Sequence, residues 1–273
     1  MQPNYADVIA LARKAGAAVL EIYHRSDYTV VEKSDTSPLT EADLAANEIL
    51  VHGLQHLTSP SIPIISEELE LPNLEERKTW DRFWLIDPID GTREFIERSG
   101  DFTINLALIE QGQPVFGLIY APVTDECFYG GDGKAFVKIG NEPAVKLKPT
   151  SVLKRLREQQ NLRILSSKRH GTEEVSRLSE NLGERLGNVQ KVAVGSSLKL
   201  AYVAAGQGEL YPRFGNVSEW DIAAGHAILK AVGGDILNRQ FEPIHYRPKP
   251  QLIVPGFYAV GDTSFDWRPF LLT

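Results

Sequence analysis

The 273-residue sequence predicts a mixed fold, α+β over residues 1–150 and α/β over 151–273. Three observations carry this. The first half sets short apolar runs side by side, which suits an antiparallel-rich sheet. The second half alternates strand and helix patterns, the order that builds a mainly parallel sheet. Two apolar runs, Ile62–Ile65 and Phe83–Ile86, pass directly into carboxylates: Glu67 and Glu68 after the first, Asp87 and Asp90 after the second.

Val8, Ile9, Ala12, Ala15, Val19, Leu20 and Tyr23 recur at helical spacing, predicting an amphipathic helix over about 5–24. A polar stretch at 26–38 holds a short strand near Tyr28–Val31. Thr40-Glu41-Ala42-Asp43 fits a capping box and opens a second helix reaching about Leu57. Phe102–Glu110 and Gln113–Tyr120 are strands joined at Gln111-Gly112, with further strands near 125–129 and 134–139. The change of pattern near 143–160 marks the boundary between the halves. Beyond it come strands at Leu162–Ser166, Val189–Val194 and about 208–211. They alternate with helices near 172–183, 196–205 and 220–232.

The net charge of -7 argues against a nucleic-acid polymer as partner. An anionic ligand would need positive charge supplied locally. Cys127 is the only cysteine, which excludes an intramolecular disulfide and a thiolate metal cluster. No signal-peptide pattern opens the chain, and no apolar run approaches the roughly 20 residues of a membrane helix. A cytoplasmic location is the expectation, with a monomer preferred and the oligomeric state left open.

The strongest local signal is Asp87-Pro88-Ile89-Asp90-Gly91-Thr92 at the end of a buried strand. Buried carboxylates are costly unless paired or metal-bound. Two of them three residues apart on a tight turn can converge on divalent cations, and all-oxygen ligands suit Mg²⁺. An ordinary Asp-Pro turn accounts for these six residues equally well when they are taken alone.

Their companions decide between the two. The run with Phe95 resembles D-P-[IL]-D-G-T-x-x-F, and Trp220-Asp221-Ile222-Ala223-Ala224-Gly225 resembles W-D-x-A-A-G. These are the two signatures of the inositol-monophosphatase-like family. Ile65-Ser66-Glu67-Glu68 stands where that family carries a metal-binding glutamate. The resemblance covers nearly the whole chain. It implies a layered α-β-α-β-α, sugar-phosphatase-like sandwich and a Mg²⁺-dependent phosphatase using two or three ions. It further implies Glu67, Asp87, Asp90, Asp221 and the Ile89 carbonyl as metal ligands, with Glu68 as the alternative to Glu67. Through Ser37-Pro38-Leu39-Thr40-x-x-Asp43 it gives Asp43 and Thr92 the role of activating water, and it implies sensitivity to Li⁺. Asp43 can equally serve the capping box, and Asp221 the first turn of a helix.

The second half bears on the substrate. Gly195-Ser196-Ser197-Leu198-Lys199 opens a helix after a strand, gathering N–H groups, a hydroxyl and a cation. Leu210-Tyr211-Pro212-Arg213-Phe214-Gly215 adds a second cation, and Ser166-Ser167-Lys168-Arg169-His170 adds polar groups at a strand end. These stretches resemble the family's bacterial 3'(2'),5'-bisphosphate nucleotidases. The resemblance implies His170, Ser196, Lys199 and Arg213 as contacts for a nucleotide and its second phosphate. The backbone N–H groups of Gly91 and Thr92 would hold the scissile one. The implied substrate is adenosine 3',5'-bisphosphate (PAP), a by-product of sulfate assimilation, with its sulfated precursor PAPS as a second candidate. Some bacterial relatives are peripheral to the membrane, which makes its inner face a second candidate location. An inositol or other sugar phosphatase is the alternative, and a catalytically dead nucleotide sensor a more distant one. Lys199 could instead be a solvated helix lysine, and Arg213 could pair with Glu209 or Glu219.

Overall fold

Helical spacing at the N-terminus and two-residue alternation in the strands resolve into five stacked layers. The computed structural model describes residues 4–32, 38–57, 62–168 and 172–271. Helix α1 (Tyr5–Tyr23) starts at Asn4, whose side chain accepts from the Ala6 N–H, and buries Val8, Ala12, Ala15 and Val19 on one face. It lies against α2 (Glu41–Leu57), which buries Ala46, Leu50 and Leu54. Between them, β1 (Val30–Glu32) pairs antiparallel with β2 (Pro38–Thr40).

Seven strands form the first sheet in chain order: β3 (Ile64–Ser66), β4 (Arg82–Asp90), β5 (Thr103–Glu110), β6 (Gln113–Ala121), β7 (Glu126–Gly131), β8 (Lys134–Ile139) and β9 (Val145–Lys146). Short helices α3 (Leu74–Arg77) and α4 (Thr92–Ile96) flank β4. Every pairing is antiparallel except β3 with β4. Gln111 and Gly112 both take positive φ, 51° and 73°, closing the β5–β6 hairpin with the twist that antiparallel strands require. Alternation along β4 splits the core. Trp84 and Ile86 pack with α1 and α2, while Phe83 and Leu85 face the opposite layer.

That layer is α7 (Leu198–Ala204) and α8 (Glu219–Ala231), sandwiched between the two sheets. A Cβ on Gly117 of β6 would sit 2.1 Å from the Ala224 carbonyl oxygen, so α8 rests directly on the sheet backbone. The small residues of the Trp220–Gly225 signature are therefore the packing surface of a helix that delivers Asp221.

The second sheet has the order β11-β10-β12-β16-β14, from β10 (Leu162–Ser166), β11 (Val189–Ala193), β12 (Leu210–Arg213), β14 (Asp235–Leu237) and β16 (Phe257–Val260). Its outer face is covered by α5 (Val152–Arg157), α6 (Thr172–Leu186) and α9 (Arg268–Leu271). A small antiparallel pair, β13 (Val217–Ser218) with β15 (Ile253–Val254), leads into α8. Both pairings of β10 are parallel, as the alternating pattern predicts. The two pairings of β16 are antiparallel, so the sheet is mixed rather than mainly parallel. The difference arises after α8, where short runs at 235–237 and 257–260 carry no alternation long enough to be read.

Candidate active site

Three elements from three parts of the chain converge at one end of β4. Parallel pairing of β3 with β4 sets Glu67, just past β3, beside Ile86, and the Glu67 N–H donates to the Ile86 carbonyl at 3.1 Å. The β4–β5 register shifts between Asp87 and Asp90, a bulge that re-aims the carboxylates flanking Pro88-Ile89. Gly91 follows at φ 94°, where a Cβ would lie 3.2 Å from both the Asp101 carbonyl and the Ser196 Cβ. Asp221 arrives in the first turn of α8.

Carboxylate oxygens of Glu67, Asp87 and Asp221 all lie within 4.8 Å of one another. Asp90 is next to them, and Glu68 is outside the group. Asp87 Oδ1 is buried with no hydrogen-bond partner. Burial, then repulsion from Glu67, Asp90 and Asp221, pushes the Asp87 carboxyl well above the ordinary carboxylate range. Burial and Asp90 do the same to Asp221. Asp90 is raised to about 6 by burial, with the Lys199 ammonium and the Ser197 N–H pulling the other way. Such a set is unfavourable by itself and is suited to a hard divalent cation, which supplies the missing charge and coordinates oxygen.

Both acidic helix starts are also tied to local hydrogen bonds. Asp221 Oδ2 accepts from the Ser218 N–H at 2.9 Å in a capping box. Asp43, 1% exposed, accepts at Oδ2 from the Thr40 N–H at 2.7 Å and the Thr40 hydroxyl at 2.6 Å. Its Oδ1 faces Thr92 Oγ1 at 3.4 Å, and the same hydroxyl lies 3.3 Å from the Ile89 carbonyl. The structure thus brings Asp43, Thr92 and Ile89 together at the edge of the acidic group. The first-turn N–H groups of α4, including that of Thr92, have no acceptor within the helix.

Two basins open here. One, of about 300 Å³, is lined by Glu67, Asp87, Ile89, Thr92, Trp220 and Ile253. The other, of about 150 Å³, is lined by Ser167, Ser196, Lys199, Tyr211 and Arg213. They share Asp90, Gly91, Val217 and Asp221.

Lys199 is no solvated lysine. It is 5% exposed, and its ammonium donates to the Ser196 carbonyl at 2.6 Å and the Val194 carbonyl at 3.2 Å. Burial lowers it to about 8 against the pull of Asp90. The acidic partners proposed for Arg213 are engaged elsewhere: Glu209 with Arg155 and Arg163, and Glu219 with Lys249. Arg213 Nη2 reaches the Asn216 carbonyl at 3.3 Å, and its Nε is buried without a hydrogen-bond partner. Ser196 takes φ 41°, uncommon for a non-glycine residue. The N–H of Ser197, just before α7, donates to Asp90 Oδ2. His170 lies outside the described residues.

Sequence reasoning missed the polar residues that surround these carboxylates. Thr103 and Asn105 on β5 stand opposite Asp90 and Asp87 and are buried. Asp101 accepts from Lys168 and, at 3.2 Å, from the Gly195 N–H. The signal available was two polar residues at alternate positions ahead of the apolar run Leu106–Ile109.

A five-layer sandwich sets an all-carboxylate cluster beside a basin where Lys199 and Arg213 meet Asp90, Glu94 and Asp221, an arrangement suited to a divalent cation and an anionic ligand together. The sequence model of the inositol monophosphatase family matches residues 1–259. The 3'(2'),5'-bisphosphate nucleotidase CysQ of Salmonella typhimurium strain LT2 is 43% identical over 251 residues, covering 92% of this chain and 96% of the relative. CysQ of Escherichia coli K12 is 41% identical over the same shares. Among solved structures, CysQ from Bacteroides thetaiotaomicron superimposes with a TM-score of 0.79 at 34% identity, covering 94% of this chain and 96% of the other. The chain belongs to the inositol monophosphatase family.

Proposed function

We propose that the protein is a Mg²⁺-dependent 3'(2'),5'-bisphosphate nucleotidase that hydrolyses PAP to AMP and phosphate. The observation that carries this is the adjacency of the two basins: an acidic one suited to cations and a scissile phosphate, and a second holding Lys199 and Arg213 for another phosphate. The CysQ relatives support the same substrate class.

In this reading Glu67, Asp87, Asp90, Asp221 and the Ile89 carbonyl hold the metal. A divalent cation held by these residues would supply acidification of a water and neutralisation of charge on the phosphate. The Asp43–Thr92 pair orients the attacking water and takes up its proton. Gly91 and Thr92 N–H groups hold phosphate oxygens. Water adds at phosphorus, the ester P–O bond breaks, and the departing ribose oxygen takes a proton. Ser196, Lys199, Arg213 and His170 contact the nucleotide and its second phosphate. The N-terminal half, 1–150, supplies most metal ligands, and 151–273 supplies Asp221 and the cations. Inhibition by Li⁺ belongs to the same proposal. No helix among the described residues is long and apolar enough to cross a membrane.

The test is phosphate release with Mg²⁺ from PAP, AMP and inositol 1-phosphate at equal concentration. A strong preference for PAP over both is expected. Preference for inositol 1-phosphate would overturn the substrate and keep the metal site.

A further inference from the structure

The loop bearing Ser196 and Lys199 and the carboxylate of Asp90 come from opposite halves of the chain, yet they form one hydrogen-bonded unit. The Ser197 N–H donates to Asp90 Oδ2. The Ser197 hydroxyl donates to Asn105 Oδ1 at 2.7 Å. Its one proton is thereby used, so in the 2.7 Å contact between Ser197 Oγ and Thr103 Oγ1 the proton is Thr103's. Thr103 Oγ1 also lies 3.3 Å from Ser196 Oγ. From the other side, the Lys199 ammonium holds the carbonyls of Val194 and Ser196 and keeps Ser196 at its positive φ.

Thr103, Asn105 and Ser197 are 0%, 1% and 4% exposed. Buried hydroxyls and amides are costly unless their bonds are met. A Val–Val or Val–Ala contact across this interface would be the cheaper way to join two layers. The polar chain instead fixes where the Ser197 N–H points, and hence the rotamer of Asp90. Asp90, with one oxygen held this way, lines the same basin as Glu67, Asp87 and Asp221.

We infer that Thr103 is a positioning residue: through Ser197 it orients Asp90, and so couples the geometry of the Gly195–Lys199 loop to divalent-cation binding at the cluster. Nothing in this coupling depends on which phosphate ester is the substrate, though it rests on the cluster being a metal site. The consequence is reciprocal: whatever straightens or displaces the loop weakens cation binding, and a bound cation rigidifies the loop.

The experiment is Mn²⁺ binding to the full-length protein, followed by the electron paramagnetic resonance signal of free Mn²⁺, for wild type, Thr103→Val, Thr103→Ser and Ser179→Ala. Ser179 is a buried hydroxyl on α6 bonded to the Val175 carbonyl and remote from the site, so its loss controls for general destabilisation. Loss of an outer-shell partner typically weakens metal binding about 10–100-fold. Thr103→Val should fall in that range, Thr103→Ser should restore wild-type affinity, and Ser179→Ala should bind normally. Wild-type binding with equal affinity in folded Thr103→Val would overturn the inference alone. Failure of wild type to bind would remove the metal site, and the inference with it. If Thr103→Val does not fold, Ser197→Ala tests the same chain: it keeps the backbone N–H but frees the loop, and normal Mn²⁺ affinity in it would count against the coupling.

Discussion

Gly117 and Ala224 touch backbone to backbone: a Cβ on Gly117 would stand 2.1 Å from the Ala224 carbonyl oxygen and 2.8 Å from its carbon. Neither group can yield without moving the strand or the helix. Gly117→Ala should therefore push α8 off the sheet, costing roughly 1–3 kcal/mol as overpacking does. It should also disturb Asp221, one turn from the contact. Thermal unfolding together with Mg²⁺-dependent turnover checks this. A fully active Gly117→Ala protein would show that α8 has slack.

Asp90→Asn keeps an oxygen for the Ser197 N–H but removes a charged ligand. We expect a folded protein whose kcat/KM falls by about 100-fold or more, beyond the usual outer-shell loss. Near-normal turnover would dismiss Asp90 as a ligand.

Arg213 forms no salt bridge among the described residues but eases the buried Asp221 carboxyl, so Arg213→Gln should lower the melting temperature only modestly. A hydrogen bond to a charged group contributes about 1.5–3 kcal/mol. KM for PAP should accordingly rise at least about tenfold, with the KM for inositol 1-phosphate little changed. Equal losses on both would place Arg213 outside any second-phosphate contact.

The mutual repulsion at Asp87 makes a sharper pair of expectations. Mg²⁺ should raise the melting temperature, and chelation should reverse it, since a ligand bound only to the native state stabilises by about 2.7 kcal/mol at 100 times its dissociation constant. Asp87→Asn should melt above metal-free wild type near neutral pH, because a repelled buried charge is gone, yet gain little from Mg²⁺. Differential scanning fluorimetry with and without chelator separates the two. A variant less stable than the metal-free wild type would contradict the repulsion.

Burial lowers the His226 imidazole from its ordinary 6.5, overriding the Asp235 carboxylate 2.6 Å away; Lys230 and His245 act in the same direction as burial. The Tyr246 hydroxyl completes its surroundings at 3.0 Å. The unfolded chain binds this proton first as pH falls, so the stabilisation is full above about pH 6.5 and is lost on acidification below it. The slope is at most about 1.4 kcal/mol per pH unit. His226→Gln should flatten the fall in melting temperature between about pH 6.5 and 5; an unchanged slope would assign the acid sensitivity to other groups.

The sequence was most legible where local chemistry and long-range geometry agreed. Thr40 and Asp43 read as a capping box because the bond is three residues long, and the Gln111-Gly112 hairpin because its turn chemistry is local. The group of Glu67, Asp87 and Asp221 was reachable because each acid directly follows or heads a recognisable element. What stayed hidden depends on register. Asn105 and Thr103 matter because the β4–β5 register sets them opposite Asp87 and, past the bulge at Pro88-Ile89, Asp90, and that pairing is made between strands rather than along one. Lys199 was legible as a cation, but its burial under the Val194 and Ser196 carbonyls depends on the strained turn at Ser196. The antiparallel strands β14 and β16 are three and four residues long, too short for periodicity to register.

The shared duties of Asp43 and Asp221 bear on how descendants of this chain would decay. A copy relieved of catalysis would still need Asp43 to start α2, so selection for folding alone would retain it; Asp221 caps α8 but is itself buried and repelled. Asp87 heads no helix and, without a cation, is repelled by its neighbours, so folding alone would not keep it. Persistence of Asp87, rather than of the whole acidic set, would be the mark of selection for the site itself.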